Sequence, residues 1–221
     1  YSSIFLSKHI LCTFYLFFVR YIHRITYVLL FRFRRNYYDK KIGILVGSLR
    51  KDSYNKIVAK QFAELLPEGF EAKFIEIGDL PFYNEDLEVE GSVPEAWTRL
   101  RNDVNEVDGL FFVTPEYNRS VPAALKNALD VGSRPMGSSV WGGKPGLVVT
   151  VSPGGPGGFG ANHALRQSLV FLDVPTLQQP EAYIGGIMNL VDNDGHIADG
   201  TVDFFKMITD KYIDFFNKLT K

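Results

Sequence analysis

The chain has 221 residues, 46% of them hydrophobic and 22% charged, enough for one ordinary globular domain with a sizeable core and too few to favour two. Its net charge of −1 hides an asymmetry: residues 1–41 carry eight Lys and Arg against the single Asp39, and residues 42–221 carry sixteen against twenty-four acids. The globular part is therefore acidic, which argues against nucleic acid as a partner. The single Cys12 excludes an intramolecular disulfide framework and a clustered cysteine metal site, as suits a reducing, cytoplasmic setting.

Residues 1–40 hold twelve of the thirty-one aromatic residues, interleaved with basic ones. Their longest uncharged apolar run, Ile10 to Val19, is about half of the roughly 20 residues a spanning helix needs, and Arg20, His23 and Arg24 break it off before Ile25 to Phe31 resumes. The segment reads as an extension unrelated to the fold, even a translated leader, since the chain does not open with Met. The alternative is a membrane-surface or targeting segment, and membrane contact is expected only through these residues.

From residue 41 to 221 the pattern changes to short apolar runs alternating with helical stripes, the signature of βαβ units around a parallel sheet. Lys41–Val46, Ala72–Ile77, Gly109–Val113, Leu147–Val151 and a weaker run near Tyr183 and Ile184 read as five strands. Val58, Phe62, Leu65 and Leu66 mark a first helical face, and Trp97, Leu100, Val104 and Val107 a second. Leu125 and Leu129 mark a third helix, and Leu165, Leu169 and Leu172 a fourth. Phe205, Ile208, Tyr212, Phe215 and Leu219 form the stripe of a last helix that can cover a sheet. Five strands with five helices match the α/β flavodoxin-like doubly wound fold, strand order 2-1-3-4-5 with helices on both faces, whose ligands bind beyond the strands' carboxyl ends.

Three loops follow strands 1, 3 and 4, and right-handed crossovers bring them to one edge. In GSLRKDSYN, Gly47 would let the backbone turn close to a ligand, Ser53 would cap the next helix, and the first-turn N–H groups favour an anion. Ser48 and Asn55 add hydrogen-bonding groups, and Arg50 can pair with a phosphate. Neither a P-loop nor a dinucleotide glycine motif is present. A plain capped strand-to-helix turn would use the same residue types. In TPEYNRSVPAALKNALD, Pro115 stiffens the turn, while Tyr117 and Asn118 could offer a flat face and amide groups to a planar ligand; a lid on the protein's own core is the alternative. In TVSPGGPGGFGANHALRQ, five glycines fall within residues 154–160, so backbone amides can approach a ligand closely. His9, His23, His163 and His196 are poor catalytic candidates, the last in a turn and His163 on a helix surface or subunit contact. No metal-ligand cluster is expected.

Together GSLRKDSYN, LPFYNEDLE, TPEYNRSVPAALKNALD and GGFGANHALRQSLVFLD resemble the NADPH-dependent FMN reductase family, which includes bacterial quinone and chromate reductases. The resemblance, over residues 41 to about 190, implies that Ser48, Arg50, Ser53 and Asn55 hold the FMN phosphate. It also implies that Pro115, Glu116, Tyr117 and Asn118 border the isoalloxazine and that the loop from Ser152, with Gly155 and Gly158, closes its far side. The implied reaction passes hydride from NADPH or NADH through FMN to a quinone or similar small acceptor, with chromate, ferric and azo compounds as further candidates, in ping-pong order. The flavin supplies that chemistry without a protein nucleophile. A homodimer or homotetramer is implied, with LPFYNEDLE near the neighbouring subunit's flavin. Arg119 stands where the family often has an aromatic. The rivals are a flavodoxin-like one-electron carrier serving a protein partner and a flavin-free receiver-type module; the latter needs acidic residues at strand ends that Gly47 and Thr114 do not supply.

Overall fold

The computed structural model describes residues 40–220; the segment before them, with Ile10–Val19, Cys12, His9 and His23, lies outside the described residues. Five parallel strands, β1 (Lys40–Val46), β2 (Phe70–Ile75), β3 (Gly109–Thr114), β4 (Gly146–Val151) and β5 (Ala182–Ile184), form one sheet in the order β2-β1-β3-β4-β5. The helices are α1 (Tyr54–Glu64), α2 (Glu95–Asn105), α3 (Ala123–Gly132), α4 (Phe159–Phe171) and α5 (Asp199–Leu219). This is the flavodoxin-like doubly wound sheet that the alternating pattern predicts.

Side chains leave successive strand residues on opposite faces, and the two cores follow that alternation. Ile42, Ile44, Phe111, Val113 and Val149 meet α1 and α5 on one face. Leu45, Leu110, Phe112 and Val148 meet α2, α3 and α4 on the other. Strands β3 and β4 are buried throughout, which explains why they read as unbroken apolar runs.

Two boundaries differ from the sequence expectation. β2 lies two residues earlier than the Ala72–Ile77 run, because its only partner is β1 and the pairing spans Lys40↔Phe70 to Leu45↔Ile75. Ile77 is buried beyond the strand. On α5 the inward stripe ends on Phe216 rather than on Phe215 and Leu219: Phe216 is fully buried, Phe215 half-buried and Leu219 exposed. Phe205 and Phe216 are eleven residues apart, about three turns at 3.6 residues per turn, so Phe216 returns to the inward face, where it packs edge-on to Phe70 at 5.3 Å.

Tyr212 ties α5 to the sheet. Its ring meets Phe111 edge-on at 4.7 Å, and its hydroxyl donates to the Pro145 carbonyl at 2.9 Å, a carbonyl that also receives Leu110 N–H at 2.8 Å. The hydroxyl lies against Gly109, where a Cβ would strike it. Gly109→Ala should therefore cost roughly 1 to 3 kcal/mol by overpacking, and Tyr212→Phe about 1 kcal/mol. Because Tyr212→Phe removes the atom that Gly109→Ala would strike, the double variant should be less destabilised than the sum. Additive losses in urea titrations would show that the two sites do not touch.

Candidate functional site

β1 pairs with both β2 and β3, so the chain leaves its carboxyl end where the winding reverses. The loops starting at Gly47, Pro115 and Ser152 follow β1, β3 and β4 on that one edge, as the crossover rule predicts.

In the first loop Gly47 N–H donates to Val113 O at 2.9 Å, and a Cβ on Gly47 would strike the Thr114 side chain. β3 thus gives the glycine a structural reason of its own. Ser53 occupies the N-cap position of α1 with φ −91° and ψ 122°, but its hydroxyl makes no cap bond. Its carbonyl, instead, receives Lys56 and Ile57 N–H at 3.0 and 3.2 Å. The expected side-chain cap by this serine is therefore absent.

That hydroxyl and Asn55 Oδ1 are buried without a hydrogen-bond partner among the described residues. Buried polar groups are ordinarily paired, and leaving one unsatisfied costs about 1 to 3 kcal/mol. A carboxamide turned about its last bond offers an N–H₂ donor in the same place. Ser48 is buried beside them and Arg50 is exposed, with no ion-pair or hydrogen-bond partner among the described residues. The N–H groups of Tyr54 and Asn55, at the start of α1, have no backbone acceptor there either. Two orphaned polar groups, free first-turn amides and one cation form a donor set that fits a monophosphate.

The second loop is a tight hairpin. Tyr117 and Ser120 exchange N–H···O bonds at 3.1 and 3.0 Å around Asn118 and Arg119, whose φ values are 51° and 66°. Positive φ at both central residues defines a type I′ turn, a conformation that favours Asn and Gly and is strained for Arg. Tyr117 is 50% exposed, so it is not a lid on the core. Glu116 turns inward: Oε2 accepts Ala161 N–H at 3.1 Å in the first turn of α4, and Oε1 lies 3.3 Å from Arg119 Nη1. A carboxylate at a helix N-terminus satisfies an orphan donor and favours the helix dipole.

The third loop is packed. Gly158, at φ 80°, starts α4 against Thr150, and Gly157, at φ 63°, lies against the Tyr183 backbone. Ser152 Oγ accepts Gly154 N–H at 3.1 Å, while exposed Gly155 places its carbonyl where a side chain on Gly185 would go. Phe159, His163 and Tyr183 cluster at its rim, with Tyr183 Oη 3.1 Å from His163 Nε2. Burial, reinforced by the neighbouring Glu181 carboxylate, pushes the Tyr183 phenol up to about 12, so it keeps its proton through the neutral range. His163 is exposed on α4, as expected of a helix-surface residue.

The residue the sequence did not single out is Asn127. Buried on α3, its Oδ1 accepts Tyr83 N–H at 2.8 Å and its Nδ2 donates to Leu80 and Pro81 carbonyls at 3.2 and 3.0 Å. Tyr83 stacks on Trp97 at 5.3 Å and leaves the adjacent Phe82 76% exposed. The only signal was a polar residue within a run of helix positions that are otherwise core. Among the described residues one group of potential metal-ligand side chains, Asp192, Asp194 and His196, comes within 4.8 Å, in an exposed turn.

Residues 40–188 match the family model described as NADPH-dependent FMN reductase, and the chain belongs to that family. It is 58% identical over 171 residues to a quinone reductase of Pseudomonas putida, covering 77% of this chain and 91% of that one. A 2-hydroxy-1,4-benzoquinone reductase of a Burkholderia species is 43% identical over 173 residues, covering 78% and 93%. Among solved structures, the flavoenzyme NAD(P)H:(acceptor) oxidoreductase FerB of Paracoccus denitrificans superposes with a TM-score of 0.75 at 37% identity, over 81% of this chain and 98% of its own.

Because Glu116 caps α4 from another loop, Glu116→Ala should destabilise the fold by about 1 to 2 kcal/mol, the range of a lost cap. Glu116→Gln keeps an acceptor and should lose less. Thermal unfolding of the two variants checks the order, and equal loss would assign the effect to charge alone.

Proposed function

We propose that this chain is an FMN-dependent NAD(P)H oxidoreductase that reduces quinones and similar small acceptors, chromate, ferric and azo compounds among the candidates. The observation that carries the reading is the orphaned pair, Ser53 Oγ and Asn55 Oδ1, buried in the same loop as Arg50, which has no ion-pair partner among the described residues, in a member of this family. When bound, FMN supplies the redox chemistry, taking hydride from NAD(P)H and giving two electrons to the quinone, so that NAD(P)H, a proton and quinone become NAD(P)⁺ and hydroquinone.

The protein's part is binding and orientation. Ser48, Arg50, Ser53 and Asn55 hold the phosphate end. Pro115, Tyr117 and Asn118 border the ring, kept in place by Glu116 through its bond to Ala161 N–H. The loop with Ser152, Gly155 and Gly158 closes the other side. If donor and acceptor shared one exposed face of the ring, ping-pong order would follow. The one-electron carrier is disfavoured because its phosphate loop has no use for an arginine like Arg50, and the similar proteins are named reductases of small molecules.

A homodimer or homotetramer is part of the proposal, supported by exposed Phe82 on the Leu80–Glu88 loop. So is a cytoplasmic location, supported by the single cysteine. No helix among the described residues is long and apolar enough to cross a membrane. Sedimentation at assay concentration and cell fractionation check these two points.

The purified protein should carry about one FMN per chain and oxidise NADPH with a quinone in the absence of any partner protein. Extraction of FAD, or no flavin after reconstitution, would overturn the reading. Arg50→Ala should weaken FMN binding by roughly 1.5 to 3 kcal/mol, or about 10- to 150-fold, and leave riboflavin binding nearly unchanged because riboflavin has no phosphate. Equal losses for both flavins would place Arg50 at the ring or in the fold.

A further inference from the structure

Beside the first loop, between α1 and the edge strand β2, lies a cavity of about 490 Å³, within the range of small-molecule sites. It shares Ser48 and Leu49 with the first loop; Lys56 and Lys60 of α1 and Phe74 and Glu76 of β2 and its end are among the residues that wall it, over an apolar floor from β1 and β2. Three of these features are unusual together. Lys56 and Lys60 stand one helical turn apart on one face, and neither has an acidic partner among the described residues. Phe74 leaves 49% of its surface exposed on a strand whose other apolar residues are covered by helices or half-buried. Glu76 uses Oε1 to accept Gly78 N–H at 2.6 Å and keeps Oε2 for a further donor.

Two adjacent cations call for a dianion, an open aromatic face calls for a flat ring, and a spare carboxylate oxygen calls for an N–H or O–H donor. We propose that this groove binds the 2′-phosphoadenosine end of NADPH, with Lys56 and Lys60 on the 2′-phosphate, Phe74 against the adenine and Glu76 accepting from its amino group or a ribose hydroxyl. The inference rests on the reductase reading above and adds to it a basis for choosing NADPH over NADH, which differ only in that phosphate. Lys56 and Lys60 act on donor selection; neither stands where chemistry occurs.

The test uses FMN-loaded protein, so that the first loop is occupied and cannot take the probe. Calorimetric titration with 2′,5′-ADP and with 5′-AMP should show the former binding at least about tenfold more tightly, the scale of a charge-assisted contact. In Lys56→Gln/Lys60→Gln that advantage should fall to about twofold or less, and KM for NADPH should rise by about tenfold relative to KM for NADH. Phe74→Ser should weaken both nucleotides. Lys60→Gln alone, at an exposed position, should show a partial loss of selectivity and serves if the double variant fails to fold, as read from flavin absorbance and thermal unfolding. Equal affinity of the wild-type protein for the two nucleotides, or selectivity unchanged by the lysine substitutions, would overturn the proposal. Failure of the reductase reading would look different: neither NADPH nor NADH would be oxidised, while the nucleotide titrations would still report on the groove.

Discussion

β1 is hydrogen-bonded along both edges, to β2 and to β3, and every functional feature depends on that double pairing. The chain leaves β1 through α1 on one face of the sheet and leaves β3 through α3 on the other. Two loops that start side by side must then diverge, and a crevice opens between them. The strand ends are so close at this point that only glycine fits at position 47, against the Thr114 side chain. Whatever a ligand asks of it, this glycine is already a concession to the neighbouring strand.

Around that crevice the polar side chains divide by whether the protein already uses them. Glu116 is committed to α4, Ser152 to its own turn and Asn127 to the Leu80–Glu88 loop. These are the struts that hold flexible-looking sequence in one conformation. Ser53, Asn55 and Arg50 have no such employment among the described residues. An unpaired buried hydroxyl is destabilising unless something satisfies it, so the fold carries a local cost that a phosphate would offset. A phosphate bound there, as proposed, would link stability to ligand binding at the start of α1.

The edge strand gives the site its second neighbour. β2 has a partner on one side only, and α1 and α5 do not cover Phe74 at its end. A five-stranded sheet with two helices on that face leaves its margin open, and the margin adjoins the phosphate loop. The groove at Lys56 and Lys60 is thus a consequence of sheet width as well as of side-chain choice.

The fold was legible from the sequence because its strongest signals are local. A strand buried on both faces reads as an apolar run, and a helix packed on one face reads as a stripe of period 3.6, without knowledge of neighbours. The loop proposed for the phosphate could be picked out for the same reason, since Ser48, Arg50, Ser53 and Asn55 lie within eight residues at a helix start. Features that rest on contacts between distant segments could not be revealed by local pattern. The true limits of β2 come from the length of β1, the shift from Leu219 to Phe216 from the geometry of a long helix on a sheet, and the free hydroxyl of Ser53 from its burial. Asn127 and Glu116 reach across 44 and 45 positions to backbone groups of other loops, so nothing near them in the chain announces their partners. Sequence by itself determined which elements form and which short loop suits a phosphate, because propensity and periodicity act over a few residues. Only the tertiary structure decided which polar groups are spent on the protein and which remain for a ligand, because hydrogen-bond satisfaction depends on the groups that folding brings within about 3 Å.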